Sequence, residues 1–191
     1  MYVEQFVMAY SVEQDRIRAI LPEEFTSLRP VFRINAEIRD GKSAYLEFNT
    51  AVEKDGHRGW LNICFWDEVS FEKTGKKTVF KTEYLEISFV RVGVRGSCPA
   101  EKDNGGCYFF PEKELRRPEV VTADKEFCDC EFKWNIEGKG AFGKSIGKTL
   151  PAIPTDVKNV YVKEKFSAIN AAVIPCEQVL GTYVVEFERL N

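Results

Sequence analysis

The 191-residue chain is 44% hydrophobic and 30% charged, with a formal net charge of −3. This is the composition of an ordinary globular protein, and the length suits one domain spanning residues 1–191. The acidic balance supplies no basic field for a nucleic-acid backbone, and no apolar run reaches the ~18–20 residues that cross a bilayer.

Met1-Tyr2-Val3-Glu4-Gln5 has an early acid and no basic segment ahead of an apolar run, so it does not read as an export signal. A cytoplasmic protein with its six cysteines reduced is expected. Cys64, Cys98, Cys107, Cys128, Cys130 and Cys176 form no CxxC pair, and His57 is the sole histidine. Neither a metal site nor a bound cofactor is expected from that inventory.

Ser11 followed by Gln14 reads as a capping box. Val12, Ile17, Ile20 and Leu21 then recur near helical spacing, and Pro22 drives the residue before it out of the helical region. A short helix is predicted at about residues 12–20. Arg16, Arg18, Arg29 and Arg33 read as helix surface and strand edge.

The rest of the chain reads mainly as strand. Residues 31–39 and 43–52 flank Asp40-Gly41, a hairpin signal because both residues accept positive φ. Residues 60–66 are apolar and aromatic, and residues 78–94 carry Leu85, Ile87 and Phe89 in alternation. Cys128, Cys130, Phe132, Trp134 and Ile136 alternate with Asp129, Glu131, Lys133 and Asn135, as on a strand buried on one face. Tyr183, Val185 and Phe187 repeat the pattern near the end. Long loops are expected at about residues 95–106 and 137–156. Many strands after one early helix predict a mainly β fold, an antiparallel barrel or sandwich.

Four features have plain structural explanations. Gly143-Lys144-Ser145-Ile146-Gly147-Lys148-Thr149 resembles a phosphate-binding loop, but Phe142 stands where the required glycine would be. Cys128 and Cys130 share a strand face and read as small core residues, and His57 sits in a polar turn. Cys98 and Cys107 bracket a polar loop.

Glu47 is the informative carboxylate, set among Tyr45, Leu46 and Phe48. It either faces solvent or faces the interior, where burial would suit it to proton transfer or substrate positioning. Glu37 lies across the hairpin. A two-residue Asp40-Gly41 turn would pair Glu37 with Ala44 and Ile34 with Glu47, placing the two acids on opposite faces. A one-residue bulge would reverse that.

The first third of the chain resembles the acetoacetate decarboxylase superfamily. The resemblance is carried by Gln5-Phe6-Val7-Met8-Ala9-Tyr10, by Asp15 to Glu23, by Tyr45-Leu46-Glu47 and by Gly59 to Trp66, with a weaker echo at Ala168 to Pro175. It implies an antiparallel, cone-like β-barrel enclosing a pocket, in a homo-oligomer. It also implies Schiff-base chemistry on a small keto acid, through a lysine whose pKa lies well below the free value of about 10.4. Pro99-Ala100-Glu101-Lys102-Asp103 is the local match to the lysine segment, which makes Lys102 the candidate nucleophile, with Lys81 and Lys165 behind it. Glu47 then positions substrate or moves a proton, while Trp60, Asn62 and Glu37 line the pocket. Glu101 and Asp103 beside Lys102 would raise its pKa, which leaves a second reading: a ligand-binding barrel that has lost its lysine.

Overall fold

Alternation along three central strands governs the architecture. In the computed structural model, which describes residues 1–96, 106–109, 113–117, 121, 123–135 and 166–190, β1 spans Tyr2–Ser11, β2 Thr26–Arg39 and β3 Ser43–Lys54. There follow β4 (His57–Trp66), β5 (Ser70–Thr74), β6 (Lys77–Lys81), β7 (Leu85–Gly96), β8 (Cys107–Tyr108), β9 (Leu115–Arg116), β10 (Lys125–Trp134) and β11 (Gln178–Glu188). The described strands form one sheet ordered β5-β6-β7-β10-β11-β1-β2-β3-β4-β8-β9, antiparallel except for the β4–β8 pair. Helix α1 covers Gln14–Ile20 and α2 covers Ala168–Ala172.

Phe6, Met8 and Tyr10 of β1 face one way, with Phe32, Ile34, Ala36 and Ile38 of β2 and Ala44, Leu46 and Phe48 of β3. In a flat sheet β3 and β10 would lie about 19 Å apart, at the usual ~4.8 Å per strand. Yet the rings of Phe48 and Trp134 are 4.8 Å apart, and Tyr10 stacks on Phe132 at 5.0 Å. The sheet therefore curls around this apolar face, as sheets beyond about ten strands tend to do. Ile17 and Ile20 of α1, Ala171 and Ala172 of α2, and Phe80 and Phe89 complete the interior.

Glu4 lies in the same inward series of β1 and is held by ions. Lys73 Nζ sits 2.8 and 2.9 Å from its two oxygens, and Arg91 lies 3.0 Å from Glu4, 2.6 Å from Glu186 and 3.4 Å from Glu126. These contacts tie β1, β5, β7, β10 and β11 together.

Several expectations need correction. The Ser11–Gln14 capping box does not form. Ser11 stays in the β ladder opposite Val31 and Gln178, so the helix starts at Gln14 and Glu13 caps it without a side-chain bond. Leu21, ahead of Pro22, is extended as predicted. A second helix, α2, is present, with the Ser167 hydroxyl accepting from the Asn170 amide. The 78–94 segment breaks into β6 and β7 where Thr82 Oγ1 accepts from the Tyr84 and Leu85 amides.

The β2–β3 turn contains three residues rather than two. Arg39 pairs with Ser43 across Asp40 (φ 49°), Gly41 (φ 65°) and Lys42, so Glu37 pairs with Tyr45 and Asn35 with Glu47. Glu37 and Glu47 consequently share a face. The next hairpin uses Asp55-Gly56, both at positive φ, between Lys54 and His57. Lys102, Lys165, Cys98, Gly143–Thr149 and residues 137–156 lie outside the described residues.

Candidate functional site

The outward face of the same central strands is the unusual one. Opposite the apolar series, β2 presents Arg33, Asn35 and Glu37 at strict two-residue spacing, and β3 answers with Tyr45, Glu47 and Asn49. One extra residue in β4, Ile63, shifts the register so that Asn62 pairs with Asn49 and Phe65 with Glu47. Ala51 pairs with Trp60. Most of these polar residues are buried: Asn49 is 0% exposed, Glu37 3%, Asn62 4%, Asn35 7% and Arg33 8%.

Two glycines let β8 pair alongside β4. A Cβ on Gly59 would lie 2.9 Å from Leu115 Cδ1 and 3.0 Å from the Gly106 carbonyl, and Gly106 itself takes φ 115°. The Gly106 carbonyl accepts from the Trp60 amide at 2.8 Å, which seats Cys107 beside Trp60.

Glu37 is fully committed. Arg189 donates to its two oxygens at 3.0 and 2.7 Å, Arg39 Nε donates at 2.9 Å, and Gln5 adds a bond at 3.3 Å. Burial by itself would raise this carboxyl, but the bonds and charges of Arg189 and Arg39 outweigh it and hold the group below the usual value. Glu37 anchors the end of β11 to β2, which leaves it little capacity for a ligand.

Glu47, half-buried, has only neutral donors among the described residues. The Tyr45 hydroxyl donates to Oε1 at 2.8 Å and Asn49 Nδ2 to Oε2 at 3.2 Å, while Asn62 Nδ2 donates to Asn49 Oδ1 at 3.0 Å. Burial, the Glu47 charge and the bond to Glu47 push the Tyr45 phenol far up, so it remains a donor. Arg39 lies over the Tyr45 ring at 4.3 Å and completes a line of support from Glu37 to Glu47.

Arg33 is the reverse case, a buried cation with no anion beside it among the described residues. Its guanidinium sits 4.1 Å from the Trp60 ring centroid, and Nη2 reaches the Cys107 sulfur at 3.7 Å. Burial pushes the Cys107 thiol up against the opposing pull of Arg33, so the sulfur is a neutral, weak acceptor. Among the described residues no carboxylate lies within ion-pair distance of Arg33, and none of the cations does so for Glu47. Arg33 Nε, Trp60 Nε1 and Asn35 Oδ1 are buried without hydrogen-bond partners. Each such atom costs about 1–3 kcal/mol, and a buried unpaired charge costs more. Three of them, two donors and one acceptor, lie on one sheet face.

Of the residues singled out from sequence, Glu47, Trp60, Asn62 and Glu37 meet on this face. Lys81 does not, since it is exposed on β6 with its amine 3.3 Å from Glu86. Lys54 donates to the Lys113 carbonyl, Lys73 is held by Glu4, and Lys125, 5.5 Å from the Tyr183 ring, is separated from Asn35 by β11 and β1. His57 is exposed at its turn. Arg33, read as strand edge, lies instead on a central strand. The signal that could have found it is the odd-numbered series Arg33, Asn35, Glu37 threaded through Ile34, Ala36 and Ile38. No group of three His, Cys, Asp or Glu side chains among the described residues is arranged to hold a metal, and no described helix is long and apolar enough to cross a membrane.

No protein-family model matches the chain, nor does any curated protein sequence. Solved structures do. The enduracididine biosynthesis enzyme MppR aligns with a TM-score of 0.55 at 12% identity, over 97% of this chain and 82% of its own. Acetoacetate decarboxylase from Legionella pneumophila subsp. pneumophila str. Philadelphia 1 aligns with 0.51 at 13% identity, over 97% and 83%. A further acetoacetate decarboxylase structure gives 0.50 at 11% identity, over 97% and 84%. What the chain shares with them is the β-rich fold, the one implied by the resemblance in its first third.

Proposed function

We propose that this chain, which has the fold of acetoacetate decarboxylase and MppR, binds a small keto acid on the polar face and processes it through a lysine imine. The observation that carries the reading is Arg33, a buried guanidinium with no carboxylate partner among the described residues, beside a carboxylate, Glu47, with no cation among them. The ligand's carboxylate supplies the missing anion in the fork geometry that arginine favours. Trp60 Nε1 and the Asn35 amide supply further hydrogen bonds, and Asn62 holds Asn49 and through it Glu47.

In the chemical step a neutral lysine amine adds to the ketone and loses water. With a β-keto acid, the iminium then takes up the electron pair as the bond to the carboxylate carbon breaks and carbon dioxide leaves. Glu47 relays a proton from water to the resulting enamine carbon, and a second water releases the product from the lysine. Dehydration and aldol-type reactions use the same imine. Lys102 is assigned as the amine from its segment Pro99–Asp103, and a homo-oligomer is the expected assembly.

The flanking acids Glu101 and Asp103 favour a second reading, a barrel that binds the keto acid without turning it over. Borohydride trapping with pyruvate, 2-ketobutyrate and acetoacetate, read by intact mass, separates the two. A reduced adduct that disappears in Lys102→Ala supports the enzyme. Saturable binding with no adduct supports the binder. Binding that is indifferent to Arg33→Met overturns both.

A further inference from the structure

The two unpaired charges of the polar face are close but do not meet. Asn35 stands directly opposite Glu47 across the β2–β3 ladder, and Arg33 precedes Asn35 by two residues on the same face. Arg33 and Glu47 are therefore diagonal neighbours, roughly 7–8 Å apart along the sheet. No ion pair joins them. Instead Arg33 leans on Trp60 and Cys107, and Glu47 takes its bonds from Tyr45 and Asn49. Between them the Asn35 side chain makes no hydrogen bond, and its buried oxygen lacks a donor.

A simple carboxylate would satisfy the Arg33 end and leave the other half of the face as it was. Asn35 Oδ1 and Glu47 would still confront a carbon chain, one as a bare acceptor and the other as an uncompensated anion. A dicarboxylate would set its second charge against Glu47. A hydroxyl would meet Asn35 but leave the charge on Glu47, which already holds two neutral donors. An ammonium group answers both needs, since it donates up to three hydrogen bonds and carries the opposite charge.

We infer that the ligand of this face is a small amino-bearing acid, with its carboxylate on Arg33 and its ammonium group, a few carbons away, against Asn35 Oδ1 and Glu47. This rests on the reading of the polar face as the ligand site, and an amino-substituted keto acid satisfies both. The site is then a charge-complementary slot, selective for acids that carry a cation at the far end.

Calorimetric titration of the full chain with a matched series tests it: butyrate, 4-aminobutyrate, propionate, β-alanine and succinate. In the wild type each amino acid should bind at least about tenfold more tightly than the plain acid of its length, the scale of one charge-assisted hydrogen bond. Glu47→Gln should bring that ratio close to one, and Asn35→Leu should lower it, so a folding failure in either variant leaves the other as the test. Arg33→Met should weaken the plain and amino acids alike. An unchanged ratio in Glu47→Gln and Asn35→Leu, or succinate binding as well as 4-aminobutyrate, overturns the amino-acid assignment and leaves the carboxylate site standing. Affinities indifferent to Arg33→Met, or no binding by any member at millimolar concentration, overturn the site itself.

Discussion

On β1, β2 and β3 the residues turned toward the curl of the sheet are Phe6, Met8, Tyr10, Phe32, Ile34, Ala36, Leu46 and Phe48, whereas those turned outward include Arg33, Asn35, Glu37, Glu47 and Asn49. Both sets are largely buried, yet they answer to different physics. The inner face is stabilised by area removed from water and by dispersion between close-packed rings, with few obligations to any one partner. On the outer face, beside the apolar cluster of Val7, Ala9, Val31 and Ala51, every polar group must find a hydrogen bond or a counter-charge. Glu37 has three such partners, whereas Arg33 has a ring and a thiol. The contrast separates polar burial that ties strands together from polar burial that pairing within the fold does not account for. An ion pair such as Glu37–Arg189 ties two strands together, whereas Arg33 and Glu47, one row away, face each other diagonally without pairing.

The largest loss of stability is expected from the inner face. Trp134→Ala removes the ring that meets Phe48 across the curl, and should cost about 3–5 kcal/mol in urea unfolding while leaving the outer face chemically intact. A cost below ~1 kcal/mol would mean that the interior is not closed by this contact.

A smaller effect is expected where a polar group is satisfied. Glu37→Gln strips the counter-charge from Arg39 and Arg189, whose side chains are 31% and 24% exposed and can partly rehydrate, so about 2–3 kcal/mol should be lost at neutral pH. The folded-state carboxyl of Glu37 lies below the ordinary glutamate value, near 4.3 in the unfolded chain. Its stabilising effect is thus complete above about pH 4.3 and is lost as pH falls through the lower, folded value. Acid titration of stability should therefore show a shallower fall below pH 5 in Glu37→Gln than in the wild type. Parallel curves would remove Glu37 from the acid response.

The smallest change in stability should come from Arg33→Met. Replacing a buried cation without a carboxylate partner among the described residues by an apolar chain of similar length should be neutral or stabilising by up to about 1 kcal/mol, while removing the proposed carboxylate contact. Thermal unfolding without ligand reads this directly. A loss of 2 kcal/mol or more would show that Arg33 is structural, and the difference between the two outer-face arginine sites would collapse.

Much of the fold was legible because it depends on period and on turn chemistry. Cys128, Phe132 and Trp134 do face the core, and Tyr183 and Val185 do line the opposite side of their strand from Val184. The extended Leu21 before Pro22 and the hairpin at Asp40-Gly41 follow from backbone sterics alone. The capping box at Ser11 failed because two neighbouring strands, distant in sequence, claim that residue for the ladder. Arg33 was misread for a related reason. A charged residue in a strand looks like an edge until the sheet order places that strand in the centre.

What the sequence determined by itself is therefore local: which residues alternate, where the chain must turn, and that Glu47 stands out among apolar neighbours. Whether Glu37 and Glu47 share a face depended on Lys42 joining the turn, a single-residue change of register that inverts every side chain beyond it. That Asn62 reaches Asn49 depended likewise on the extra residue Ile63. The tertiary structure alone decided that Arg33 and Glu47 are neighbours without being partners, because burial and the absence of a counter-charge are properties of the assembled sheet and not of any strand within it.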